Sequence, residues 1–287
     1  MPPFRALSVS EPVLRRLGFA TTLHVEAEDA PALAAAGFAA LDDIRGTLPG
    51  GDGRPIRAVG RVEAGGRSYY VKRYDYAGLR ILRTFLYRAK ADREFEYLER
   101  VRAAGVPAVR PVAWGVRRAL GFVPASVLVT ETFAGAVDVR ALVTDYVDGR
   151  PGTVPRPAFR AVLDRIADGL RTLHAGGLYL HTAFEKNVLV RMRDGAAEYA
   201  WVDLPFAGRY APGRLPLRRR VRDLACLNKG LEAALTRSDR LRLLRRYLGP
   251  GASRSETRAL AARVHHRTRA LQDRTPGARL VKALKGR

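Results

Sequence analysis

The chain has 287 residues, 47% of them apolar and 28% charged, which fits a folded protein with a sizeable core and excludes a disordered one. Its net charge of +23 favours polyanionic partners: nucleic acid, anionic lipid or a phosphorylated glycolipid. A single cysteine, Cys226, excludes an intrachain disulfide and a multi-cysteine metal site, and reads as a small buried apolar residue.

The opening MPPFR leads into LSVSEPVLRRLG with no continuous apolar run, so no secretory start is expected. The longest apolar run, PALAAAGFAAL at 31–41, is far short of the roughly 20 residues that span a bilayer. A cytoplasmic chain is expected. Residues 1–45 read as a lead-in, with a helix over 29–44 capped by Asp29. TLPGGDGRP (47–55) is a loop by its glycines and prolines. IRAVGRVEA and RSYYVKRYD, separated by Gly65 and Gly66, form a β-hairpin. Residues 76–105 have helical spacing throughout and end at Gly105.

Two further strands follow, VPAVRPVAWGVRR and ASVLVTETF, then a short polar connection with Asp138, Asp145 and Asp148. PRPAFRAVLDRIADGLRTLHAGG (155–177) is a helix with proline at its start and glycine at its end. NVLVRMRDGAAEYAWVDL (187–204) is a hairpin turning at Asp194 and Gly195. RRRVRDLACLNKGLEAAL and DRLRLLRRYLG are helices, and 254–287 is basic and weakly amphipathic. This order predicts an α+β chain with a small sheet-rich N-terminal lobe and a mostly helical C-terminal lobe. The expected boundaries are a lead-in at 1–45, an N-lobe at 46–134, a C-lobe at 135–250 and a basic segment at 251–287.

Two constellations could carry chemistry. Lys72 sits inside an apolar strand, SYYVKRY, where strand alternation alone would turn it to solvent. A helix with Glu94 and Glu96 follows, and a buried lysine needs a carboxylate partner. A strand lysine paired with a helix glutamate is how protein kinases hold the phosphates of ATP. In the second constellation, Asn187 opens a strand and Asp203 ends the next one. A hairpin can bring both to one end, where their oxygens suit magnesium. Each taken alone is also an ordinary turn residue.

With these pieces in order, the chain resembles the bacterial lipopolysaccharide core heptose/Kdo kinases, which have a protein-kinase-like, two-lobed fold. The matching pieces are YYVKRY, AKADREFEYLERVRAAGVPAVRPVAWG, SVLVTETF, LHAGGLYLHTAFEKNVLV, WVDLP and RRRVRDLACLNKGL, covering about 56 to 232. The resemblance implies an ATP- and Mg²⁺-dependent kinase acting on a sugar hydroxyl of a glycolipid, peripheral to the inner membrane on its cytoplasmic side. It implies that Lys72 contacts the phosphates, Glu94 pairs with it and Glu131 lies near the nucleotide base. Asn187 and Asp203 would bind magnesium, and Asp223 would steady the catalytic-loop backbone.

The sequence also departs from that family's pattern. No glycine-rich phosphate motif precedes Lys72, and the metal motif reads Asp203-Leu204-Pro205. Laid without a gap on the kinase catalytic loop, His181 takes the arginine position and Thr182 the aspartate position. Thr182 cannot act as a base near neutral pH, but it could orient an acceptor hydroxyl. His181 and Glu185 are the substitute bases to consider, and Lys186 could neutralise charge on the transferred phosphate. The alternative function is a pseudokinase that binds nucleotide or anionic membrane as a scaffold or regulator. A nucleic-acid-binding protein is suggested by charge alone, and no recognition motif supports it.

Overall fold

The computed structural model describes residues 18–48 and 57–273. The loop glycines Gly50, Gly51 and Gly53 and the basic segment beyond residue 273 lie outside them. The chain divides into two compact units, Met1–Glu96 with Arg110–Thr132 and Tyr97–Val109 with Phe133–Arg287.

The first unit is built on an antiparallel sheet. Its strands are β1 (Ala20–Val25), β2 (Arg57–Ala64), β3 (Arg67–Asp75), β4 (Pro111–Ala119) and β5 (Phe122–Glu131), in the order β1-β4-β5-β3-β2. β1 is an edge strand within the expected lead-in; half of its residues are exposed, so its sequence carries no strong alternation. Tyr69 and Val71 on β3 and Val127 and Val129 on β5 face one side of the sheet. They form a core there with Leu33, Phe38, Leu41 and Ile44. Those last residues come from two short helices, α1 (Ala30–Ala35) and α2 (Leu41–Gly46).

The single helix expected over 29–44 is therefore two. Gly37 takes φ +81°, a left-handed conformation that ends α1, and the Phe38 N–H closes back onto the Leu33 carbonyl at 2.9 Å. Asp29 precedes α1 but its side chain caps nothing. Its fully buried carboxylate accepts from two Arg110 nitrogens at 2.6 and 2.8 Å, from Arg67 at 3.2 Å and from the Tyr69 hydroxyl at 3.2 Å. Burial opposes its ionisation, but the Arg110 hydrogen bonds and charge outweigh it and hold the carboxyl below its usual pKa.

The helix expected over 76–105 is also broken. Gly78–Thr84 is a 3₁₀ helix, and the α-helix α3 runs only over Lys90–Ala103. Leu86, between them, takes φ +54°, which no right-handed helix allows.

In the second unit the polar connection expected around Asp138 contains a helix, α4 (Val139–Val147). The Asp138 carboxylate accepts the Ala141 N–H at 2.9 Å and so caps it. α5 (Arg156–Ala175) buries Phe159, Val162, Leu163, Ile166, Leu170 and Leu173 at helical spacing. The hairpin of β8 (Val188–Arg193) and β9 (Ala196–Trp201) turns at Asp194 and Gly195, with φ +49° and +75°. β6 (Val137–Asp138) completes that small sheet, and β7 (Leu178–Tyr179) pairs with β10 (Gly208–Arg209). The helices α6 (Leu217–Leu231), α7 (Arg237–Leu248) and α8 (Arg254–Gln272) follow. Cys226 is fully buried in α6, and burial pushes its thiol up to about 12, so it is an inert core residue. Among the described residues, no helix is long and apolar enough to cross a membrane.

Candidate active site

In the first unit, strand alternation turns Lys72 and Tyr74 away from the Tyr69/Val71 core. On that second face α3 reaches Lys72 and Tyr74 through Glu94. The Lys72 amine meets the fully buried Glu94 carboxylate at 2.5 Å, and the Tyr74 hydroxyl donates to the other Glu94 oxygen at 3.2 Å. Lys72 is itself buried, and it is half of the ion pair with Glu94 that a buried lysine needs, in a low-dielectric setting. Glu96, the second candidate partner, pairs with Arg88 instead. Glu131 ends β5 with its carboxylate 2.9 Å from Arg110 and its own N–H on the Arg110 carbonyl at 2.8 Å.

In the second unit, the loop after α5 is held by a buried network. The Asp223 carboxylate of α6 accepts the Leu180 N–H at 2.7 Å and lies 3.2 Å from the His174 ring, whose other nitrogen meets the Tyr247 hydroxyl at 2.8 Å. The next residue, His181, takes φ +65°, strained for a side chain. Its carbonyl accepts from Arg222 at 2.9 Å, and its ring lies between Tyr179 and Phe206, with an Arg219 nitrogen 3.4 Å away. Thr182 follows, and its carbonyl accepts from the Asn187 side-chain amide at 2.8 Å and the Phe184 N–H at 2.7 Å. The Thr182 hydroxyl is out of reach of solvent and has no hydrogen-bond partner.

Asn187 and Asp203 come to the same end of the hairpin. Val188 pairs with Trp201, and the Val202 N–H donates to the Asn187 carbonyl at 2.9 Å, which sets Asp203 directly beyond the last rung. Asp203 takes φ +60°, the second strained non-glycine position here. The Asn187 Nδ2 is committed to Thr182, and its amide oxygen is the atom that could serve as a ligand. An amide oxygen and a carboxylate are hard donors of the kind magnesium takes, so these two residues would suit that ion.

The other loop residues are placed as follows. Lys186 is exposed. Glu185 is buried, with its carboxylate 2.8 Å from Arg140, and it presses so closely on Gly230 that a Cβ there would collide with it.

One feature was missed from the sequence. Arg218, Arg219 and Arg222 of α6 and Arg263, His266 and Arg267 of α8 line an open groove of about 870 Å³. Among the described residues, none of these arginines has a carboxylate hydrogen-bonded to it. Asp223, whose charge is felt at Arg219, is buried and already holds Leu180 and His174. Through Arg222 and Arg219 the groove touches the His181 loop. The RRRVR and RVHHR spacings, three and four residues apart, hold the information, but only the packing of α6 on α8 joins them.

Comparison with known proteins bears on the family and the fold. The family model described as the lipopolysaccharide kinase (Kdo/WaaP) family matches residues 52–247. The lipopolysaccharide core heptose(I) kinase WaaP of Pseudomonas aeruginosa is 29% identical over 198 residues, which are 65% of this chain and 72% of that one. The solved structure of WaaP in complex with acyl carrier protein superposes with a TM-score of 0.64 at 25% identity, over 87% of this chain and all but 1% of that one, 99% being covered. The fold is thus the kinase-like α+β fold of that relative, and the chain belongs to the lipopolysaccharide kinase (Kdo/WaaP) family.

Proposed function

We propose that this chain is an ATP- and Mg²⁺-dependent phosphotransferase for a sugar hydroxyl of an anionic glycolipid. It would work from the cytoplasmic surface of the inner membrane, with slow transfer. The buried Lys72–Glu94 pair carries the reading, because a desolvated ion pair costs stability unless it serves something more. Lys72 holds phosphate oxygens, Glu94 fixes the lysine, and the Glu131 strand end flanks the base. Asn187 and Asp203 hold the metal, which neutralises phosphate charge when bound. Lys186 and His181 face the transferred group from the loop. The arginine groove takes the negative groups of the acceptor. The solved relative was obtained with acyl carrier protein, and a carrier-protein partner is part of the proposal for this chain too.

Phosphoryl transfer rests mainly on positioning and charge neutralisation, and a general base adds about 10²–10⁴ in rate. Without a carboxylate at position 182 the chain keeps the first contribution and lacks the second. The unpartnered Thr182 hydroxyl favours the pseudokinase reading as the runner-up, since it reaches no acceptor in this conformation. The deciding experiment measures magnesium-dependent ATP affinity and single-turnover transfer to deacylated lipopolysaccharide core. Binding with slow transfer, both lost in Asp203→Ala, is the expected result. Binding with no transfer above background establishes a nucleotide-binding pseudokinase, and no binding at millimolar magnesium removes the enzyme and leaves the scaffold reading.

A further inference from the structure

We infer that the segment from Gly78 to Tyr87 is a membrane-inserting wedge for an anionic bilayer. This deepens the membrane-surface reading above and rests on it. The 3₁₀ helix Gly78–Thr84 has three residues per turn, so Leu79, Leu82 and Phe85 follow one another along one side. All three are exposed, Leu79 by 84%, and Tyr87 beyond them is 68% exposed. Leu120, at the turn between β4 and β5, is 59% exposed. The Leu86 N–H donates to the Gly121 carbonyl at 2.8 Å, which ties that turn to the segment and joins Leu120 to the patch. Contiguous large apolar side chains in water mark an interaction surface, not an ordinary solvated one.

The segment is also built to hold its shape. The Thr84 hydroxyl donates to the Ile81 carbonyl at 2.6 Å and accepts the Val123 N–H at 2.9 Å. Phe85 packs on Phe122 with ring centroids 5.0 Å apart. The apolar side chains are therefore displayed on a fixed scaffold.

Charge identifies the occupant. Arg80 and Arg83 alternate with the leucines, are exposed, and have no carboxylate partner among the described residues. Apolar and aromatic side chains flanked by unpaired arginines suit the boundary between acyl chains and anionic headgroups. A second copy of this chain would bring another +23 to the same surface, which opposes self-association there.

The test is co-sedimentation of the full chain with vesicles of phosphatidylglycerol and phosphatidylcholine, and of phosphatidylcholine alone, at about 0.1 M and about 0.5 M salt. The variants are Leu79→Ser/Leu82→Ser/Tyr87→Ser, all at exposed positions, and Arg80→Glu/Arg83→Glu. ATP affinity and thermal melting are measured alongside as controls for fold. The parent should bind anionic vesicles and keep part of that binding at the higher salt. The triple serine variant should lose about tenfold or more at both salts, since each apolar side chain it removes contributes to insertion. The glutamate pair should lose affinity chiefly at the lower salt. Triple-variant binding equal to the parent's overturns the wedge while leaving the membrane reading standing. A parent that binds no vesicles removes both. Concentration-dependent dimerisation abolished by the serine variant would assign the patch to a second copy and overturn the inference.

Discussion

The Asn187 side chain is tied to Thr182 through the threonine's backbone carbonyl, at 2.8 Å, and not through its hydroxyl. Whatever residue stands at 182, that carbonyl remains. The loop residue and the metal-ligand candidate are therefore coupled structurally but separable by mutation.

Thr182→Ala should leave magnesium-dependent ATP affinity within about twofold of the parent, because the bond to Asn187 survives. Thr182→Asp should raise single-turnover transfer by up to about 10²–10⁴, since a carboxylate extends one bond beyond the buried threonine hydroxyl. Rapid-quench measurement on the three proteins decides it. Unchanged turnover in Thr182→Asp would place the base at another residue, His181 being the first to test.

The Lys72–Glu94 pair predicts a second separation. Lys72→Met leaves a fully buried carboxylate that keeps the Tyr74 hydroxyl but loses its counter-charge, and should cost about 3–5 kcal/mol in urea denaturation. The double variant Lys72→Met/Glu94→Leu should recover most of that stability, because neither charge remains buried. ATP affinity should stay low in both. Recovery of ATP binding in the double variant would show that the lysine does not hold phosphate.

Much of this was legible in the sequence because strand and helix periodicities are local. The β2–β3 and β8–β9 hairpins announced themselves by turn residues, and α5 by proline, glycine and its apolar stripe. The Lys72–Glu94 pair could be anticipated only by asking what a buried lysine needs. Three things were hidden because packing decides them. Asp29 looked like a helix cap until Arg110, 81 residues away, claimed its carboxylate. The helical spacing over 76–105 was real only from Lys90 onward, since Leu79 and Leu82 face outward. The arginine groove joins two helices that no sequence window contains.

Asp29 predicts a pH dependence. Its folded pKa lies below the unfolded value of about 3.9, so the unfolded chain binds more protons between the two values. Its contribution is fully present above about 3.9 and is lost as pH falls through the lower folded pKa. Asp29→Asn should destabilise the protein by about 3 kcal/mol at pH 7, leaving the half-buried Arg110 without its fully buried partner. The difference should shrink as pH drops below 3.9, because the parent then loses the same charge. Denaturation midpoints of both proteins from pH 7 downward check this, and a constant gap would be the contrary result.

The left-handed backbones of His181 and Asp203 have a consequence for engineering. Glycine adopts that conformation without the cost a side chain incurs. Selection of variants for heat resistance alone should therefore recover glycine at 203, and with it a sturdier protein stripped of the carboxylate proposed to hold magnesium. Durability and chemistry are opposed at that residue, so a thermostability campaign on this chain must hold position 203 fixed.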